Sequence, residues 1–301
     1  LPTARQLIIY GHRALLADLA RRQDLDLDSQ TLRIVQPAQP TDPLHQPGAA
    51  QIAYLEAACK NISAAPERSV LVTGPICKAT AHDAGFPFPG HTELLAARAG
   101  GVPVAMMMAG PRLRVVLATT HLALSAVPGA LSIASVAQTL FQAARSLYLD
   151  FAIARPRVAL AALNPHAGEH GAFGSEETDI LTPALERARQ SLAQTEIPAR
   201  LSGPWPADTL FWQCVEGGFD GAVALYHDQG LIPAKMLDLH HTVNVTLGLP
   251  FVRTSPDHGV AHDLVGTGKA RTDSFEAAIE LGLSIWQNRH RRSQMHQAHT
   301  H

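Results

Sequence analysis

The sequence predicts an α/β protein, and three observations carry that prediction. Short runs are apolar at nearly every position. They alternate with segments whose apolar residues recur at helical spacing, and Gly or Pro marks the breaks between the two. Strands without polar alternation fit a sheet buried on both faces. Their alternation with helices fits βαβ units around parallel strands.

Gln6–Tyr10 reads as a strand, followed by Gly11 and an Ala/Leu-rich helix to about Arg22. Leu32–Val35 is a second strand, and residues 36–49, with Pro37, Pro40, Pro43, Pro47 and Gly48, are a loop. Ala50–Ile62 suits a helix and Ser69–Thr73 a buried strand running into Gly74-Pro75. Val102–Met108, Leu113–Thr119 and Val158–Leu163 are further strands, with a long helix over Ser132–Phe151. Thr182–Leu192 is a helix, Ala222–Tyr226 and Val243–Leu247 are strands, and a closing helix spans about Ser274 to Gln287.

Composition sets the outer limits. The 301 residues are 46% hydrophobic and 17% charged, a globular balance large enough for two domains or one large one. The net charge of −2 leaves no electrostatic footprint for nucleic acid, and no basic run suggests a membrane surface. Three scattered cysteines, Cys59, Cys77 and Cys214, give no disulfide framework and point to a reducing, cytoplasmic setting. Val115–Ala144 holds no Asp, Glu, Lys or Arg, a length that would span a bilayer. His121, Pro128-Gly129 and many Ser, Thr and Gln residues interrupt it, so it reads as strand, turn and buried helix.

Sixteen histidines are an excess, and position sorts them better than number. In open α/β sheets, ligands bind beyond the carboxyl ends of strands. Three predicted strands run into a histidine: His121 after Thr120, His166 within Asn164-Pro165-His166-Ala167-Gly168-Glu169, and His227 before Asp228-Gln229-Gly230. Three imidazoles with an open coordination position are the pattern of a catalytic divalent metal. Asp208 either adds a carboxylate or caps the helix over Thr209–Cys214. Gly90-His91-Thr92-Glu93 offers an imidazole, a hydroxyl and helix N-terminal N–H groups to an anion. Lys235, Asn244 and Arg253 suit a phosphate or carboxylate, against the plain alternative of solvated surface charges. Gly74-Pro75-Ile76-Cys77-Lys78 resembles a short anion-binding turn without the Walker spacing, and Cys77 is either a reactive thiol or a small buried residue. Asp257-His258-Gly259 is a turn or a proton relay.

Taken in order, LVTGPICK (71–78), FPGHTELLA (88–96), ATTHLAL (118–124), LNPHAGE (163–169), FGSEETDI (173–180), GPWPADTLF (203–211), YHDQGLIPAK (226–235) and VNVTLGLPFVRTSPDHG (243–259) resemble the 4-hydroxythreonine-4-phosphate dehydrogenase family of vitamin B6 biosynthesis. The resemblance implies a two-domain isocitrate/isopropylmalate-dehydrogenase-like fold with the active site in the interdomain cleft. It places residues 1–90 and 259–289 in a first domain, 91–258 in a second, and leaves 290–301 as a polar His-rich tail. It implies a homodimer, NAD or NADP, and a divalent metal (Zn, Mg or Co) bound by His121, His166 and His227 drawn from both subunits. It puts Asp208 beside the metal and implies His91, Thr92, Lys235, Asn244 and Arg253 as substrate residues; Asp208, Lys235 and a metal-bound hydroxide are the candidate catalytic bases.

The implied reaction oxidises 4-phosphohydroxy-L-threonine to 2-amino-3-oxo-4-phosphooxybutanoate, which then loses CO₂. A sister dehydrogenase of D-threonate or D-erythronate 4-phosphate is the near alternative. A metal-dependent phosphatase-type hydrolase and an inactive binding protein are the distant ones. Family members also carry a strand and a glycine-rich segment ahead of the stretch matching residues 6–11, an expected core strand and active-site loop that this sequence does not contain.

Overall fold

A computed structural model describes residues 6–27, 30–39 and 42–299, with side chains described to Met295. The chain divides into two compact units. The first runs to Arg68 and adds Pro75–Gly100 and His258–Arg271; the second holds Ser69–Gly74, Gly101–Asp257 and the chain from Thr272 onward.

The first unit pairs two short parallel strands, β1 (Leu7–Tyr10) and β2 (Leu32–Val35). Around them lie α1 (Arg13–Arg22), α2 (Pro47–Ala64), α3 (Lys78–Asp83) and α4 (His91–Arg98). Residues 91–98, expected in the second domain, are helical here and packed in this unit. Arg98 at the end of α4 donates from Nε to Glu56 Oε2 of α2 at 3.0 Å.

The second unit is built on eight strands: β3 (Val70–Val72), β4 (Ala105–Ala109), β5 (Arg114–Leu117), β6 (Arg157–Ala161), β7 (Arg200–Trp205), β8 (Gly221–Ala224), β9 (Val243–Leu247) and β10 (Val252–Pro256). Their order is β3-β10-β9-β4-β5-β8-β6-β7. The α/β class is as the sequence predicts, but the sheet is mixed. β9 runs antiparallel to both β10 and β4, and β4 antiparallel to β5; the other pairs are parallel. Apolar runs reveal burial on both faces, not strand direction.

Helices α5 (Val127–Ala130), α6 (Ile133–Leu149), α7 (Thr182–Ala193), α8 (Ala207–Val215), α9 (His227–Leu237) and α10 (Asp273–His299) complete the unit. The period of two along a strand divides the core. Val116, Leu160 and Val223 meet Leu140 and Leu147 of α6 and Leu185 of α7 on one face. Val115, Leu117, Ala159 and Ala224 meet Leu210 of α8 and Leu231 of α9 on the other.

The charge-free stretch becomes β5, a turn, α5 and α6, bent by 94° between the turn-and-α5 segment and α6. Among the described residues no single helix is long and apolar enough to cross a membrane. Ser132 starts α6 with a capping box, its hydroxyl accepting from Ser135 N.

The closing helix is longer than expected. It takes in the polar tail as far as His299, and the segment keeps partners past Gln287: Arg289 binds Asp150 from Nε at 2.6 Å, and Arg292 lies 3.7 Å over the Tyr148 ring. Residues 272–289, expected in the first domain, therefore pack in the second unit.

Helix α10 seats on β3 and β10 through Gly282. A Cβ there would stand 2.6 Å from Val70 Cγ1 and 3.0 Å from Thr254 Oγ1. Gly282→Ala is expected to destabilise the protein by about 1–3 kcal/mol through overpacking. A lowered denaturant midpoint with an unchanged slope is the confirming result; an unchanged midpoint would mean that α10 does not seat this closely.

Candidate functional site

The strand register gathers the predicted anion-binding residues. In the antiparallel β9–β10 pair Thr254 faces Val245 and Ser255 faces Asn244, so Arg253 stands opposite Thr246. In the parallel β10–β3 pair Arg253 faces Leu71 and Thr254 faces Val72, which carries Thr73 to the level of Ser255. Alternation then puts Thr73, Asn244, Thr246, Arg253 and Ser255 on one face of three adjacent strands. Val243, Val245 and Val252 point to the α6/α10 side, where Thr254 Oγ1 donates to Ala278 O of α10 at 2.8 Å.

Arg253 is 4% exposed. Its Nη2 and Nε donate to Thr73 Oγ1 at 2.6 and 3.2 Å, and its Nη1 donates to Thr246 Oγ1 at 3.0 Å. Asn244 Oδ1 is buried with no hydrogen-bond partner among the described residues. Lys235, near the end of α9, places Nζ 2.7 Å from Asp257 Oδ2. Asp257, read as part of a turn or relay, is thus the counter-ion of the predicted substrate lysine. Asp208 lies exposed in the first turn of α8, where a carboxylate is favoured by the helix dipole. Pro206 holds the N-cap position, so the capping alternative does not apply.

Two of the three strand-end histidines come together. The rings of His121 and His227 have centroids 5.8 Å apart, tilted by 40°. His227 Nδ1 is 2.6 Å from Asp228 Oδ1. A carboxylate on one ring nitrogen fixes the tautomer and presents the other nitrogen as a lone pair, the arrangement of metal-ligating histidines. With Zn–N bonds of about 2.0–2.1 Å, two imidazoles at this spacing suit one ion. His166 does not join them: among the described residues of this chain, no three His, Cys, Asp or Glu side chains stand together as a metal site.

His166 sits in an unusual loop. His166, Ala167, Glu169 and His170 all have positive φ, between 41° and 56°, with Gly168 at 80°. A left-handed backbone costs roughly 1–2 kcal/mol for each residue bearing a Cβ. Glu177, 4% exposed, anchors the chain just ahead of these residues. Its Oε1 accepts from the backbone N–H of Leu163 and of Asn164, both at 2.8 Å, and its Oε2 accepts from Asn164 Nδ2 at 3.0 Å. Glu177 opens a π-helical turn, Glu177–Leu181, that feeds α7.

In the first unit, His91 and Thr92 form the first turn of α4, whose N-cap is Gly90 with no side chain to satisfy the leading N–H groups. Cys77 is the N-cap residue of α3 and is partly exposed. Thr80, through its hydroxyl and backbone N–H, and then His262 stabilise the thiolate and lower the thiol to about 7. Burial pushes Cys59 and Cys214 the other way, to about 11 and about 12.

Sequence reasoning missed Thr73, Thr246, Glu177 and Asp228 as site-building residues. The signal was present for the threonines. Each is a hydroxyl inside an apolar strand, one immediately ahead of Gly74-Pro75. Glu177 lies in the motif FGSEETDI (173–180), but nothing local gave it a role, because its backbone partners are 13 and 14 residues away.

A mixed sheet that carries a seated arginine on one strand, with an ion-paired lysine on a flanking helix and a histidine pair beyond two strand ends, is the frame of an α/β enzyme. Residues 4–282 match the family model described as pyridoxal phosphate biosynthetic protein PdxA, and the chain belongs to that family. A 4-hydroxythreonine-4-phosphate dehydrogenase of Desulfosudis oleivorans is 47% identical over 259 residues, covering 84% of this chain and 75% of that one. One of Caulobacter vibrioides is 50% identical over 223 residues, covering 72% of this chain and 65% of that relative's length. The solved structure of 4-hydroxythreonine-4-phosphate dehydrogenase from Klebsiella pneumoniae superposes with a TM-score of 0.79 at 32% identity, over 93% of this chain and 90% of that one.

The thiol chemistry gives a direct test. At pH 8 a thiol of pKa about 7 is roughly nine-tenths thiolate, whereas the two buried thiols stay protonated. Iodoacetamide on the native protein should label Cys77 alone, with a rate that titrates around pH 7. Mass spectrometry finding equal labelling of all three cysteines would refute the assignment.

Proposed function

We propose that this chain oxidises 4-phosphohydroxy-L-threonine with NAD, yielding 2-amino-3-oxo-4-phosphooxybutanoate and then CO₂, in pyridoxal phosphate biosynthesis. The observation that carries the reading is the polar face on β3, β10 and β9, which joins a seated guanidinium to an unsatisfied amide oxygen. The relatives' shared name supplies the reaction.

Arg253 and Lys235 provide the positive charge for a phosphate. Arg253 offers a planar fork, and Lys235 a point charge steadied by Asp257. Asn244 Oδ1 is an acceptor for a substrate N–H or O–H donor. His91 and Thr92 are proposed as further substrate contacts, offering an imidazole, a hydroxyl and first-turn N–H groups. Fixing the phosphate spends remote binding energy on aligning the carbinol C–H bond with the hydride acceptor. Asp208 is the proposed proton acceptor, since Lys235 is engaged by Asp257. The oxidised product is a β-keto acid. Its carbonyl takes up the electron pair as CO₂ departs, so decarboxylation asks little of the protein.

His121 and His227, with His166 from another copy of the chain, are proposed to hold a divalent metal. The histidine pair and the carboxylate on His227 fit such a site. When bound, the ion supplies Lewis-acid polarisation of the reacting oxygen. The partner is therefore a second copy. Ile232 and Met236 of α9 and nearby Leu239, all exposed, offer apolar surface for the contact. Three free cysteines suit the reducing cytoplasm as the setting.

The deciding experiment mixes the protein with NAD, a divalent metal and 4-phosphohydroxy-L-threonine, alongside D-threonate and D-erythronate 4-phosphates. NADH should form fastest with the first substrate and should be lost on chelation. Phosphate release without NADH would refute the reading, and faster turnover of either sugar-acid phosphate would reassign the substrate. Sharing of the metal site has its own test. His166→Ala and His227→Ala are each expected to lose metal and activity, yet their refolded mixture should regain up to about one quarter of the wild-type activity, as one intact site per mixed dimer requires. No recovery would place all ligands in one chain.

A further inference from the structure

We propose that Thr73 and Thr246 are positioning residues that orient the Arg253 guanidinium toward an anionic group of the substrate. The inference rests on the reading of Arg253 as the phosphate-binding arginine and adds the residues that make it specific.

An arginine side chain has several rotatable bonds, and a fork that wanders cannot present two parallel N–H groups to a phosphate. Here the fork is bracketed from two neighbouring strands. Thr246 stands directly across the β9–β10 ladder from Arg253 and accepts from Nη1 at 3.0 Å. Thr73 accepts from Nε and Nη2 on the opposite edge of the guanidinium. Thr73 is itself pinned to the arginine's strand, because its backbone N–H donates to Thr254 O at 3.1 Å. Both threonines are buried, at 6% and 2% exposure, so solvent does not compete for these bonds. Both are uncharged. They fix the plane of the guanidinium without neutralising it, which a carboxylate in the same place would do. A guanidinium held in plane is preorganised for an oxyanion.

The test replaces each hydroxyl by a methyl of nearly the same shape. T73V and T246V should each raise KM for the phosphorylated substrate about tenfold while kcat changes less than about threefold, the pattern of lost binding that ground and transition states share. Inorganic phosphate, as a competitive inhibitor, should weaken by a similar factor. T73S, which restores the acceptor, should return KM to within about twofold of wild type. R253Q separates the two layers of the argument. If R253Q leaves KM unchanged, the reading of Arg253 as a phosphate ligand fails. If R253Q raises KM but T73V and T246V do not, the positioning role is overturned. A T73V protein that melts early yet keeps its KM also overturns it, and should T73V not fold, T246V and T73S decide by the same KM criterion. Failure of T73S to rescue would show that the hydroxyl is not what matters.

Discussion

The register between β9 and β10 is the constraint on which the rest of the second unit depends. Side chains alternate along a strand, so a slip of one residue would exchange every inward and outward position. In the observed register Val243, Val245, Val252 and Thr254 meet the α6/α10 side, and Asn244, Thr246, Arg253 and Ser255 share the other. A slipped register would send a guanidinium into the valine core, where an uncompensated charge costs several kcal/mol. The same pairing therefore completes the apolar core and assembles the polar face. Folding the core and building the anion-binding surface are one event here.

The α/β class and most elements were legible in the sequence because burial leaves a periodic trace. Leu32–Val35 and Val243–Leu247 match their predicted bounds, and Thr182 is the predicted first residue of α7. Elements without that trace were missed. Val252–Pro256 carries Arg, Thr, Ser and Pro in a central strand, since its outward face serves chemistry and its inward Thr254 bonds to α10. Arg200–Trp205 is an edge strand, which tolerates Gly203 and Pro204. Helix α9 contains Gly230 and Pro233, both of which argue locally against a helix.

The site was legible as residue types placed after strands, but not as contacts. Placement after a strand singled out His121 and His227, which the structure brings to a 5.8 Å ring separation. It singled out His166 equally, though that residue stands in a different loop of the same sheet. Position after a strand says which end of the sheet a side chain reaches. It does not say which neighbours meet there. Buried helpers such as Glu177 and Thr73 are invisible to the same rule, because their bonds are to backbone groups and to one arginine across the sheet.

The loop carrying His166 has a further consequence, in chirality. From His166 to His170 the backbone follows the mirror image of a right-handed helical turn. L-residues resist that path and D-residues prefer it. Gly168, which has no handedness, is the only residue of the five indifferent to it. At the other four positions glycine would remove the cost, and Asn or Asp would bear it better than most side chains. The path is held at both ends: the Glu177 carboxylate fixes Leu163 and Asn164 ahead of it, and Ala172 and Phe173 behind it donate to the carbonyls of Glu169 and Gly168.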